Sequence, residues 1–144
     1  MGQVNASSSV VVPADSQRAL EAIADYETVR PRILTSHYHD YKVLEGGKGA
    51  GTVAEWTLQA TQKRSRNVHA VVSVSDSMVT ERDSNSTMVT TWTVTPSGTG
   101  ALVTVRTSWK GAGGIAGFFE GIFAPLGLKK IQAEMLEKLK GELS

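Results

Sequence analysis

From His37 to Lys110 the hydrophobic pattern of this chain repeats every two residues, and this constrains the fold more than any other feature. The repeat runs through "YHDYKVLEG", "TVAEWTLQAT", "SRNVHAVVSVS", "SMVTERD", "STMVTTWTVT" and "ALVTVRTSW". A period of two places successive side chains on opposite faces of a strand. Turn-rich segments separate the runs, notably "GGKGAG" (Gly46 to Gly51) and "PSGTG" (Pro96 to Gly100). Sequential strands joined by short turns imply an antiparallel meander.

The flanks have a different period. Ser8 to Val12 is a β-branched run that reads as a first strand. "PADSQRALEAIADY" then reads as a helix capped by Asp15 or Ser16, with Leu20, Ile23 and Ala24 on one face. "ETVRPRIL" reads as a second short helix or turn, with Pro31 near its start. At the other end, Ile115, Phe118, Phe119, Ile122 and Phe123 follow helical spacing, with Gly117, Glu120 and Gly121 opposite. Pro125 interrupts this helix. Beyond it, Leu128, Ile131, Met135, Leu139 and Leu143 continue the apolar stripe, and Lys130, Glu134, Lys138 and Glu142 form a mixed-charge ladder on a solvated face. The expected product is one long amphipathic helix, broken once and too polar to span a membrane.

Composition excludes several functions. The 144 residues fit a single domain over 1–144, with 1–7 as a flexible lead-in. Lysine and arginine number 15 against 14 acidic residues, a net charge of +1, so no basic footprint for nucleic acid is expected. The absence of cysteine excludes disulfides, thiol nucleophiles and thiolate metal sites. "MGQVNASSSVVV" lacks the basic and apolar regions of a signal peptide, and Ala6 stands where N-myristoylation wants Ser or Thr. A cytoplasmic location is expected, and the glycosylation patterns at Asn5 and Asn85 read as chance.

The order strand, two short helices, run of strands, long C-terminal amphipathic helix resembles the START-related helix-grip fold. The branch is the polyketide cyclase/dehydrase and lipid-transport superfamily (SRPBCC, Bet v 1-like). "SVVVPADSQRALEAIADYE" is similar to the family's opening strand, turn and first helix. "YKVLEGGKGAGTVAEWTL" resembles the strand, glycine hairpin and strand that follow, "WTVTPSGTGALVTVRTSW" the late hairpin, and "APLGLKKIQAEMLEKLKGEL" the closing helix. The resemblance spans about Ser8 to Leu143. It implies an α+β fold in which a curved antiparallel sheet wraps around the C-terminal helix and leaves a cavity between them. Many members carry a Trp shortly after the Pro that follows the first helix. Here "VRPRIL" has Pro31 and no Trp, so that corner of the pocket is packed differently.

Strand parity tells what faces such a cavity. Ala54, Trp56 and Leu58 oppose Glu55; Met88, Thr90, Trp92 and Val94 share a face; Val103, Val105 and Trp109 oppose Arg106. Phe118, Phe119, Ile122 and Phe123 come from the helix. Such aromatics more often fill an ordinary core, but Gly113, Gly114, Gly117, Gly121 and Gly127 weaken the helix and favour a segment able to open. His37, His39, Tyr41 and Val43 would share one face of their strand, with His39 and Tyr41 as polar contacts at the cavity mouth. Tyr26 either points its hydroxyl into the pocket or packs. Asp40 has the wrong parity to complete a metal site with the two histidines, so neither metal nor cofactor is expected.

No acid–base pair emerges. Glu55 is the one carboxylate seen within an apolar strand and falls outside, His69 is out of phase with its apolar neighbours, and the arginines fall on outer faces or loops. The leading function is therefore non-catalytic binding of a small hydrophobic or amphipathic molecule, lipid- or polyketide-like. An enzyme of the cyclase or dehydratase type in the same cavity is the second reading. The third is a filled-core interaction module that docks a partner through "GIAGFFEGIF".

Overall fold

The computed structural model describes residues 3–61, 64–110 and 125–144. Its elements are β1 (Gln3–Val12), α1 (Ser16–Ile23), α2 (Val29–Ile33), β2 (Tyr38–Glu45), β3 (Val53–Thr61), β4 (Arg64–Ser75), β5 (Met78–Asp83), β6 (Val89–Ser97), β7 (Gly100–Lys110) and α3 (Pro125–Glu142). The seven strands form one sheet in the order β1-β7-β6-β5-β4-β3-β2. Every pairing is antiparallel, so the expected meander runs from β2 to β7 and β1 returns to pair with β7. With two short helices after β1 and a long helix at the C-terminus, this is the α+β helix-grip arrangement.

Local chemistry explains the elements. Asp15 caps α1, its carboxylate accepting from the Arg18 amide at 2.8 Å. The Asp25 carboxylate accepts from the amides of Glu27 and Thr28 and so shapes the turn into α2. Alternation buries one face of the sheet: Ala54, Trp56 and Leu58 on β3, Val68, Ala70 and Val72 on β4, Trp92 and Val94 on β6, and Val103, Val105, Thr107 and Trp109 on β7. Helix α3 packs against β1 and α2, burying Leu128, Ile131, Met135, Leu136 and Leu139. The first half of the expected C-terminal helix, with Phe118, Phe119, Ile122 and Phe123, lies outside the described residues. No helix among the described residues is long and apolar enough to cross a membrane.

Strict alternation fails in β2. His39 pairs with Thr57 and Lys42 with Glu55, so β2 takes three steps where β3 takes two. The extra residue is a β-bulge, and Asp40 adopts a positive φ of 55° there. The bulge resets the parity, so Tyr38 and Tyr41 are both half-buried while His39 and Asp40 are exposed. The expectation that His37, His39, Tyr41 and Val43 share one face is corrected: His37 lies in the turn before β2, and the bulge leaves His39 exposed while Tyr41 and Val43 are half-buried.

The β6–β7 turn sets the register of the late hairpin through Gly98, at φ +59°, and Gly100. A Cβ on Gly100 would lie 2.2 Å from the Val12 carbonyl oxygen, which is backbone and held in the β1–β7 ladder. Gly100→Ala is expected to destabilise the protein by about 2 kcal/mol or more, as overpacking against a fixed neighbour does. Urea unfolding of the variant checks this, and an unchanged midpoint would contradict the register.

Candidate functional site

The polar centre of the molecule is built from α2 and β5. Arg30 precedes Ile33 by three residues on one face of α2, Tyr26 lies in the turn before α2, and all three are buried. On β5 the buried positions alternate as Val79, Glu81 and Asp83. Arg30 and Glu81 therefore meet in the interior, with Nη1 2.7 Å from Oε2 and the side chains 3% and 6% exposed. The Tyr26 hydroxyl donates to the same Oε2 at 2.5 Å. The guanidinium lies between two rings, 4.3 Å from the centroid of Tyr26 and 4.9 Å from that of Trp92, an arrangement that favours a desolvated cation.

The β2–β3 hairpin holds this centre in place. The Tyr26 amide donates to the Gly47 carbonyl at 2.8 Å, and Gly49 donates back to Ala24. Gly47 sits at φ +143°, a conformation that favours glycine. The Tyr41 hydroxyl donates to the Tyr26 carbonyl at 2.5 Å, and its ring stacks on Trp56 at 6.0 Å with an interplanar angle of 26°. Tyr38 meets the same indole edge-on at 6.4 Å.

Next to the ion pair is a small cavity of about 30 Å³, close to the space one water occupies. Arg30, Glu81, Trp92, Thr90 and Thr107 line it with Tyr38, Trp56, Leu58, Met88 and Val105; Leu34 of the α2 end and Leu128, Gln132 and Met135 of α3 complete it. Three of its lining residues each carry a buried polar atom without a hydrogen-bond partner: Arg30 Nε, Trp92 Nε1 and Gln132 Oε1. Larger surface depressions lie elsewhere, a charged groove between α1, α2 and the C-terminal end of α3 and a polar one over β3 and β4, and neither opens onto the ion pair.

The electrostatics keep the site neutral. Burial opposes the Arg30 charge, but the Glu81 carboxylate outweighs it and holds the guanidinium above its ordinary value. Burial, reinforced by Glu81, raises Tyr26 and Tyr38 well above the usual tyrosine value of about 10. Burial likewise pushes Tyr41 up to about 12, against the lowering effect of Arg30.

Of the residues singled out from sequence, Trp56, Leu58, Met88, Trp92 and Val105 line the cavity. Val103 and Trp109 are fully buried beside it without lining it. Tyr26 turns its hydroxyl onto Glu81, and Tyr41 braces Tyr26 from behind. His39 is exposed, and Phe118, Phe119, Ile122 and Phe123 lie outside the described residues. Sequence reasoning missed Arg30, Glu81 and Gln132. The expectation that the arginines are all external is corrected, because Arg30 is 2% exposed. Its spacing of three from the buried Ile33 on α2 carried the signal. Glu81 shares parity with Val79, but one valine between polar residues is a weak marker. The outward readings of Glu55 and His69 match their position on one face of the β3–β4 pair, with Nδ1 3.7 Å from Oε2.

Residues 3–144 match the family model described as polyketide cyclase / dehydrase and lipid transport. Among solved structures, the KanY protein (ms6282), determined by NMR in solution, is 57% identical, with a TM-score of 0.91 and 99% of each chain covered. TTHA0849 from Thermus thermophilus is 15% identical, with a TM-score of 0.78 over 97% of each chain. The major latex-like protein 151 of Panax ginseng is 13% identical, with a TM-score of 0.72, over 98% of this chain and 97% of the ginseng one. The last two are likenesses of fold. Comparison with curated proteins returns no match.

Two outcomes check the site. Arg30→Met leaves Glu81 buried and uncompensated and is expected to cost about 3–5 kcal/mol; adding Glu81→Met is expected to recover most of it, measured by urea unfolding. The chain has 3 tyrosines, all raised. The folded state holds their protons above pH 10, where an unfolded tyrosine ionises, so stability is full below about pH 10 and falls as pH climbs through 12. Ultraviolet titration of the folded protein is expected to show no tyrosinate step near pH 10, and a step there would contradict the burial.

Proposed function

The chain belongs to the polyketide cyclase / dehydrase and lipid transport family, and from that premise we propose that it binds a small, mostly apolar molecule between the sheet and α3. The observation that carries this reading is the cavity beside the Arg30–Glu81 pair, where three buried polar atoms lack protein partners. A core built for stability alone leaves few such groups, because each orphan costs about 1–3 kcal/mol. Apolar and aromatic walls with a few convergent polar groups are the usual composition of a ligand site. Trp56, Leu58, Met88 and Met135 supply the apolar contact, worth about 25 cal/mol per Å² of ligand surface removed from water. The enclosed space takes little more than one functional group, so the body of a ligand enters by displacing side chains of the α3 wall. Met135 is the adaptable one there.

A second reading, an enzyme of the cyclase or dehydratase type, is favoured by one observation. A buried guanidinium with a free Nε beside a buried carboxylate can polarise a carbonyl with the first and accept a proton with the second. The two readings separate in one experiment. The freshly purified protein is weighed by native mass spectrometry, and any bound compound is extracted and returned to ligand-free protein. An unchanged compound supports binding, and a compound lighter by one water supports catalysis.

For the binding reading, the uncharged fluorophore N-phenyl-1-naphthylamine is expected to gain fluorescence with the wild-type protein. Leu58→Trp, which fills the cavity, is expected to weaken it about tenfold or more, whereas Arg106→Ala, on an exposed side chain of β7, leaves it unchanged. Equal affinity in all three proteins would place the probe elsewhere and count against this site.

A further inference from the structure

The cavity has a charge balance that bears on what it selects. Among the described residues its lining carries two charged side chains, Arg30 and Glu81, and they neutralise each other at 2.7 Å. Arg30 commits Nη1 to Glu81 and directs Nη2 at the Ile23 carbonyl at 3.5 Å, leaving Nε without a partner. Trp92 Nε1, on the ring that stacks under the guanidinium, is also without a partner. Across the cavity, the Gln132 amide donates to the Ala6 carbonyl at 3.1 Å and to Thr107 Oγ1 at 3.3 Å, which fixes its orientation and leaves Oε1 free. The free complement is thus two donors from the α2 and β6 side and one acceptor from α3.

We propose that this cavity is a subsite for an uncharged oxygen of the ligand, a ketone or a hydroxyl, and that Glu81 sets the preference by cancelling the charge of Arg30. The inference rests on the binding reading above. A ketone oxygen accepts from the free donors, and a hydroxyl can also donate to Gln132. An ionised carboxylate finds Arg30 already neutralised and the Glu81 carboxylate beside it, so it loses its water without a compensating charge. An ammonium finds the carboxylate committed to Arg30 and Tyr26. The enclosed volume of about 30 Å³ suits a single such group.

Three ligands of nearly equal shape test this: 2-acetylnaphthalene, 2-isopropenylnaphthalene and 2-naphthoate, with affinities measured by calorimetry. The ketone is expected to bind about three- to tenfold tighter than the hydrocarbon, the value of one net hydrogen bond, and at least tenfold tighter than the carboxylate. Trp92→Phe removes one donor together with part of the apolar wall, so both ligands are expected to weaken and the ratio of ketone to hydrocarbon affinity is expected to shrink. Glu81→Gln keeps an acceptor for Tyr26 and leaves Arg30 unneutralised, so the carboxylate is expected to overtake the ketone. A carboxylate that equals or beats the ketone on the wild-type protein overturns the proposal, as does a hydrocarbon that beats it; that comparison stands even if Glu81→Gln does not fold. Binding of none of the three, by contrast, sinks the ligand-cavity reading itself and the proposal with it.

Discussion

A helix of five residues has no stability of its own in water, and α2 keeps its place because Arg30 carries it into the sheet. The guanidinium reaches Glu81 on the central strand β5 and is held between the Tyr26 and Trp92 rings. Removing either charge leaves the other buried, which is why the pair, once formed, constrains everything around it. Tyr26 adds its hydroxyl to the same carboxylate oxygen. Its backbone is gripped by the β2–β3 hairpin through Gly47 and by Tyr41. One ion pair thus connects the helical layer, the sheet centre and the first hairpin.

That arrangement is costly as a means of stability, since apolar residues of similar volume often serve as well or better. The cost is understandable if the pair does something besides holding the fold. It lines the cavity, and Arg30 itself, Trp92 and Gln132 of that lining carry two orphaned donors and an acceptor. Trp56, braced by Tyr38 and Tyr41, and Met88 and Leu58 give the same cavity an apolar lining. In the binding function proposed above, the polar anchor and the apolar walls together take an amphipathic ligand in preference to a fully apolar one. This is consistent with membership of the polyketide cyclase / dehydrase and lipid transport family.

Much of the fold was legible because it rests on short-range pattern. Period two gave the strands, the turn glycines gave the hairpins, and the helical stripe from Leu128 to Leu143 gave α3. The element order then pointed to the helix-grip arrangement. The site was legible only where it is apolar. Trp56, Leu58, Met88, Trp92 and Val105 could be placed by parity because hydrophobic residues announce their own burial. Arg30 and Glu81 could not, because a charged side chain is assigned to the surface unless its partner is known, and the partners stand 51 positions apart.

The sequence by itself determined the periodicities, the turns, the strand count and the inward parity of Trp56, Leu58, Met88, Trp92 and Val105. These depend on a residue and its near neighbours along the chain. The tertiary structure decided the rest. It added one residue to β2 at Asp40, which sent His39 outward and Tyr41 inward. It also brought α2 over β5, so that two charges that would each be expelled from a core became each other's solvent. Burial of a charge is a property of a pair in space, and no single position along the chain records it.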